Sequence, residues 1–260
     1  MTLRSPTSML TSAFRRVVGF ASRRLGRPEL LAAVDAGIRQ VQREELAINA
    51  VLASSLRADS TYVDVGANEG QVLRAAVRVA PLARHVAFEP IPALALQLQR
   101  SFPQVDCREL ALAATPETAS FCHFRGLEGW SGLRRSPEVS DARGRPEFIQ
   151  VRVSTLDAEL GGMVPSLIKI DVEGAELAVL EGGRHVLASA RPLVIFEHVA
   201  KAAALYGADS ESTWDLLNDL GYRIYAVTGE GPFDRSVFSQ AHAIVNWLAV
   251  PGDRHGAVTS

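Results

Sequence analysis

Apolar residues return along the chain in two alternating rhythms. Leu30, Leu31, Val34, Ile38, Val41 and Leu46 recur at helical spacing, with Arg39, Arg43, Glu44 and Glu45 available to water, which predicts an amphipathic helix over about 29–56. Asp59-Ser60 marks a turn, and the β-branched run Tyr62-Val63-Asp64-Val65 reads as a strand. Gln71 to Val79 reads as a helix with Val72, Ala76 and Val79 on one face, stopped by Pro81. Arg84 to Glu89 is a second strand, Pro92 to Arg100 a helix, and Cys107 to Leu112 a third strand. Thr118 to Phe124 and Phe148 to Val153 are two more strands, and they bracket a stretch rich in glycine and proline. Beyond a helix cap at Ser154-Thr155-Leu156-Asp157, the apolar runs Leu167 to Val172 and Pro192 to His198 read as strands. The segment opening at Glu176, Leu177 and Leu180 is the helix between them. Strands and helices in such alternation predict an α/β domain.

Bulk composition narrows the function classes. The chain has 260 residues, 27 basic against 29 acidic, for a net charge of -2, so nothing overall invites a nucleic-acid backbone. At this length one α/β domain with an appendage is expected, the arm over 1–58 and the main domain over 59–260, with an insertion at about 118–154. No uninterrupted apolar run approaches the roughly 20 residues that span a bilayer. Cys107 and Cys122 have no metal-ligand spacing and suit a reduced, cytoplasmic protein. From Met1 to Pro28 there is no acidic residue, while Arg4, Arg15, Arg16, Arg23, Arg24 and Arg27 accumulate. A transit peptide, an interfacial helix on anionic lipid, and an arm packed on the domain or on a second subunit all compete for this stretch. Packing is the expected role. Peripheral membrane contact comes next, and a homo-oligomer is left open.

The chemistry concentrates where strands end. Tyr62 to Gly70, read VDVGANEG from Val63, is a strand turning sharply into a helix, a place where free N–H groups and a positive dipole end face a ligand. The spacing Gly66-x-Asn68-x-Gly70 preceded by Asp64 departs from G-x-G-x-x-G, which argues against a dinucleotide and toward S-adenosylmethionine (SAM). Glu89 ends the second strand about 20 residues later, where a carboxylate accepts the two hydroxyls of a ribose. Leu112 and Ala113, leaving the third strand, are candidates to lie against an adenine ring. The glycine-rich stretch from Arg125 to Glu147 is expected to be a lid, with Trp130 and Ser131 as acceptor contacts.

With VDVGANEG, AFEP, STLD, IKIDVEGAELAVLEGG and PLVIFE in that order over about 62–198, the chain resembles the FkbM-type SAM-dependent methyltransferases. The resemblance implies a class I methyltransferase fold, a Rossmann-like, mostly parallel seven-stranded sheet with an antiparallel final strand and helices on both faces. The ending fits, since Gly221 to Val227 and Ala243 to Val250 suit that last antiparallel pair. The resemblance further implies O-methylation of sugars or natural products, with Asp64, Gly66, Asn68 and Gly70 on the methionine side of SAM and Glu89 on its ribose.

Alcohol methylation profits from a base and from exclusion of water. Asp171, Glu173, Glu197 and His198 stand at the ends of the strands that point toward the methyl group; His198 is the expected base, and Asp171 the second choice. The carboxylates have the oxygens to bind Mg²⁺, but nothing requires a metal and none is expected. The expected partner is a small-molecule or glycan acceptor. The rival functions are a non-catalytic SAM-binding or membrane-docked protein and a nicotinamide-dependent oxidoreductase. A nucleic-acid base methyltransferase lacks its N-P-P-Y or D-P-P-Y stretch here.

Overall fold

A computed structural model of the chain describes residues 28–125, 131–134 and 146–254. Its elements are, in chain order, α1 (Pro28–Ser55), β1 (Thr61–Val65), α2 (Gln71–Val79), β2 (Arg84–Phe88), α3 (Pro92–Ser101), β3 (Asp106–Arg108), β4 (Ala111–Leu112) and β5 (Glu117–His123). There follow β6 (Glu147–Ser154), α4 (Leu156–Leu160), β7 (Leu167–Ile170), α5 (Glu176–Glu181), α6 (Arg184–Ala190), β8 (Leu193–Glu197) and α7 (Ala200–Ala203). A 3₁₀ turn (Ala204–Tyr206), α8 (Ser210–Asp219), β9 (Tyr222–Ala226), α9 (Arg235–Gln240) and β10 (Asn246–Pro251) complete the described chain, apart from a last 3₁₀ turn. The chain divides into two compact units, Met1–Ile48 and Asn49–Ser260.

The main sheet has seven strands in the order β3-β2-β1-β7-β8-β10-β9. β3, β2, β1, β7 and β8 pair in parallel, and β10 runs antiparallel to both β8 and β9. This is the mostly parallel sheet with one reversed final strand that the sequence predicts. Every residue of β7 is buried, as are the last four of β1 and the first four of β8, because helices cover both faces. Val63, Val65, Ile168, Ile170, Val194 and Phe196 point to one face and pack with Val179, Leu180, Leu187, Leu216 and Leu217. The alternate residues of β1 and β7 include Asp64 and Lys169, both buried polar groups on the opposite face. From β1 the chain winds outward through β2 to β3, then returns to β7 on the other side of β1. That reversal opens a crevice at the carboxyl ends of β1 and β7.

Two details differ from expectation. The third strand is broken: β3 pairs with β2, but Ala111 and Leu112 leave to join β6 in a second sheet of order β4-β6-β5. The break falls at Leu110, whose N–H bonds back to Arg108 O while its side chain is fully buried. The helix after β7 is also broken, into α5 and α6, at Gly182-Gly183. A Cβ at Gly182 would stand 2.1 Å from Ala113 O, so the chain comes closer there than any side chain permits. The helix cap falls within Ser154 to Asp157 as expected, with Thr155 Oγ1 capping α4 by accepting from Ala158 N–H. Asp157 instead accepts from His185 and Val186 N–H and caps the first turn of α6. Among the described residues, no helix is long and apolar enough to cross a membrane.

Candidate active site

The turn after β1 is tied to β2, since Gly66 and Ala67 both donate to Phe88 O at 3.0 Å. Gly66 has φ +77, and a Cβ there would meet Asp171 O at 1.9 Å. The glycine is therefore demanded by the protein's own backbone, where the end of β7 passes the turn. Asn68 follows in the left-handed region with φ +48, a conformation its short polar side chain tolerates. Its backbone N–H donates to Glu89 Oε2 at 2.8 Å, and Ile91 N–H donates to Oε1 at 2.9 Å. Glu89 is buried, 4% exposed, and burial pushes its carboxyl up to about 7 against the pull of those two N–H groups. Each oxygen keeps a lone pair for a further donor.

Gly66, Asn68 and Glu89 line one wall of a cleft of about 710 Å³, measured out to its mouth. Ile91, Leu94 and Leu112 give it an apolar wall, Ser131 and Leu133 come from the insertion, and Asp171 and Glu173 stand at the far end. Its mostly apolar lining with a few convergent polar groups suits an organic ligand. Asn68 Oδ1 is buried without a hydrogen-bond partner.

Below the far end lies a buried ion network. Lys169, 5% exposed, places Nζ 3.0 Å from Asp171 Oδ2 and 3.7 Å from Asp64 Oδ1. Burial by itself would lower the affinity of Lys169 for its proton, but Asp171, Asp64 and Glu197 outweigh it, so its pKa lies above the ordinary lysine value. Burial likewise works to raise Asp171, yet Lys169 and a hydrogen bond from Glu197 hold it below the usual carboxylate range. Asp171, Glu173 and Glu197 each bring a carboxylate oxygen within 4.8 Å of the others. Burial and then the Asp171 charge drive Glu197 well above its ordinary value and Glu173 up to about 8. Asp171 and Glu197 share a side-chain hydrogen bond, and the charge of Asp171 favours the protonated form of both neighbouring glutamates. Glu173 also has φ +57, the left-handed region, which is a strained conformation for a side chain of its size.

Glu176 holds that turn in place. It is buried, and its Oε1 accepts from Val172 N–H and Gly174 N–H, both at 3.0 Å. In the sequence it stood inside the IKIDVEGAE motif, read there as the start of a helix. Tyr206, in the 3₁₀ turn, accepts through its hydroxyl from Arg134 N–H at 3.1 Å and so pins the described piece of the insertion to the chain beyond β8. These two residues are 72 apart in sequence, and no local pattern announces such a contact.

Several expected residues are placed differently. His198 is not among the groups lining the cleft. It follows Phe196 on the core side of β8, stacks on Phe238 at 5.2 Å, and its Nε2 lies 2.8 Å from Ser210 Oγ. Burial lowers its pKa to about 4, and it lines a second cavity with Ser210 and Phe238 rather than the cleft of Asp171 and Glu173. The alternation of the strand sends Glu197 and His198 to opposite faces. Asp64 sits under the cleft, partnered by Lys169, and does not line it. Gly70 also does not line it, and caps α2 with φ 76. Leu112 lines the cleft, whereas Ala113 stands beyond it, donating to Ser154 O. Ser131 is a wall residue whose Oγ also accepts from Phe124 N–H; Trp130 lies outside the described residues. The N-terminal basic stretch before Pro28 lies outside them too.

Comparison with known proteins agrees with the motif order. Among curated proteins, the AMB antimetabolite synthetase AmbE of Pseudomonas aeruginosa is 30% identical over 205 residues, 64% of this chain. This chain spans only 10% of that relative's length. Among solved structures, a methyltransferase FkbM from Methylobacillus flagellatus is 18% identical over 75% of this chain and 44% of its own, with a TM-score of 0.46. A precorrin-6y C5,15-methyltransferase from Geobacter metallireducens is 14% identical over 77% of this chain and 85% of its own, with a TM-score of 0.42. The family described as the methyltransferase FkbM domain matches residues 64–224, the span that carries the glycine turn, the ion network and both flanks of the cleft, and the chain belongs to that family.

Proposed function

We propose that the protein transfers a methyl group from SAM to a hydroxyl of a sugar, glycolipid or natural-product acceptor, with Glu173 as the general base. SAM supplies a methyl carbon made electrophilic by its sulfonium, and the protein's task is to align, desolvate and deprotonate. The cleft fits such a donor: the remaining lone pairs of Glu89 suit a ribose diol, Ile91, Leu94 and Leu112 suit a flat base, and the orphaned Asn68 Oδ1 accepts from a polar end. Asp171, kept anionic, accepts a hydrogen bond from the acceptor and orients it. Glu173 takes the proton as the new C–O bond forms.

The observation that carries this reading is Glu173 itself. It lines the cleft beside Asp171, is held in a left-handed turn by Glu176, and has its carboxyl raised to about 8, near the pH at which a base is most effective. The name of the curated relative, an antimetabolite synthetase, favours a natural-product acceptor over a macromolecule. The test is incubation with methyl-deuterated SAM and a panel of glycosides and hydroxylated natural products, read by mass spectrometry, with Glu173→Gln in parallel. Label on an oxygen, lost in Glu173→Gln while S-adenosylhomocysteine (SAH) still binds, is the expected result. Label on nitrogen or carbon, or full turnover by Glu173→Gln, refutes it.

A further inference from the structure

We propose that Lys169, which does not line the cleft, is a positioning residue: its buried ammonium clamps Asp171 from beneath, keeps the negative charge on that carboxylate, and so assigns the proton of the acidic cluster to Glu197 and Glu173. The inference rests on the reading of Glu173 as the base.

The geometry leaves Lys169 little other work. It projects from β7 two residues before Asp171, with Nζ between Asp171 Oδ2 at 3.0 Å and Asp64 Oδ1 at 3.7 Å. Three carboxyl oxygens stand within 4.8 Å of one another above it, and so many like charges in a half-buried site cannot all ionise. The groups facing Asp171 are Lys169 on β7, Tyr62 and Asp64 on β1, Glu173 in the following turn, Glu176 at the start of α5 and Glu197 on β8. Lys169 is the one cation among them, and it touches Asp171 rather than Glu173 or Glu197. Its contact breaks the near-equivalence of the three carboxyls. Asp171 takes the charge, Glu197 donates to it, and the Asp171 charge in turn raises the proton affinity of Glu173. Asp64, on the other side of the ammonium, links this arrangement to the strand that carries the glycine turn.

The test needs no acceptor. On the full chain loaded with SAH, the side-chain carboxyl carbons of Asp171 and Glu197 are followed by ¹³C NMR from pH 3 to pH 9, in the wild type and in Lys169→Met. A neighbouring opposite charge shifts a carboxylate by about 1–3 pH units. Asp171 should titrate below its ordinary range in the wild type and about 1–3 pH units higher in Lys169→Met. Lys169→Met also strands the buried Asp64, so Asp64→Asn/Lys169→Met provides a second background in which the lower pair is neutral and Asp171 alone loses its clamp. The same rise is expected there. An Asp171 titration that stays in place in both variants overturns the inference. That outcome is independent of the turnover of Glu173→Gln, so failure of the clamp and failure of the proposed base are told apart.

Discussion

Gly66→Ala separates a glycine kept for the protein's own packing from one kept for a ligand. Two costs add. An alanine at φ +77 costs about 1–2 kcal/mol, because the left-handed region crowds Cβ against the carbonyl. The new Cβ would also lie 1.9 Å from Asp171 O and 3.0 Å from its carbonyl carbon, backbone atoms just beyond β7 in a residue whose N–H is tied to Val65 O. Relieving that overlap pushes β1 and β7 apart, at about 1–3 kcal/mol on the scale of overpacked cores. The sum, about 2–5 kcal/mol, is a large share of the 5–15 kcal/mol that typically holds a domain together. Gly207→Ala is the control: its φ is +74, but a Cβ there meets nothing within 4 Å, so only the conformational cost of about 1–2 kcal/mol should appear. Urea unfolding at 25 °C of the wild type and both variants, in the absence of ligand, gives the difference directly. If Gly66→Ala and Gly207→Ala cost the same within about 0.5 kcal/mol, the close approach of the two strand ends is wrong.

Glu173 must lose its proton before it can accept one, so kcat should rise about tenfold per pH unit below pH 8 and level off above it; Glu173→Gln should lower kcat about 10²–10⁴-fold and abolish that limb. A kcat flat from pH 6 to pH 9 would rule this base out. Glu89→Ala removes the acceptor offered to a ribose diol and leaves the N–H groups of Asn68 and Ile91 unpaired; calorimetry should show SAH affinity falling at least about tenfold, from about 1.5–3 kcal/mol per lost charged hydrogen bond. Unchanged SAH affinity in that variant would empty the cleft of its proposed donor. His198→Ala should keep both SAH affinity and turnover within a few-fold while losing about 1–3 kcal/mol of stability, as Ser210 loses its partner and Phe238 its stacked ring. Selective loss of kcat would restore the histidine as a catalytic candidate.

The strands and helices that build the crevice were legible because their signals are local. The runs at Tyr62 to Val65, Leu167 to Ile170 and Leu193 to Phe196 are almost wholly apolar, Asp64 and Lys169 excepted, as strands buried on both faces tend to be. Glu89 was legible too, since its distance from the glycine turn follows from the length of one helix and its returning strand. The base was not. His198 and Glu197 are neighbours in sequence, and choosing between them needs to know which face of β8 looks toward the cleft. An apolar strand buried on both sides carries no alternation from which to read that choice.

The sequence by itself determined the order of elements, the family and the place where the chain turns to meet a nucleoside, because hydrophobic period and glycine spacing are properties of neighbouring residues. Tertiary structure alone decided which charged groups are assigned to one another as neighbours. That assignment depends on β1, β7 and β8 lying side by side, so that Lys169, Asp171 and Glu197 meet within a few ångströms in a site largely shielded from water. Coulomb energies grow steeply when separation and dielectric fall together, and neither quantity is written in the spacing of residues along a chain.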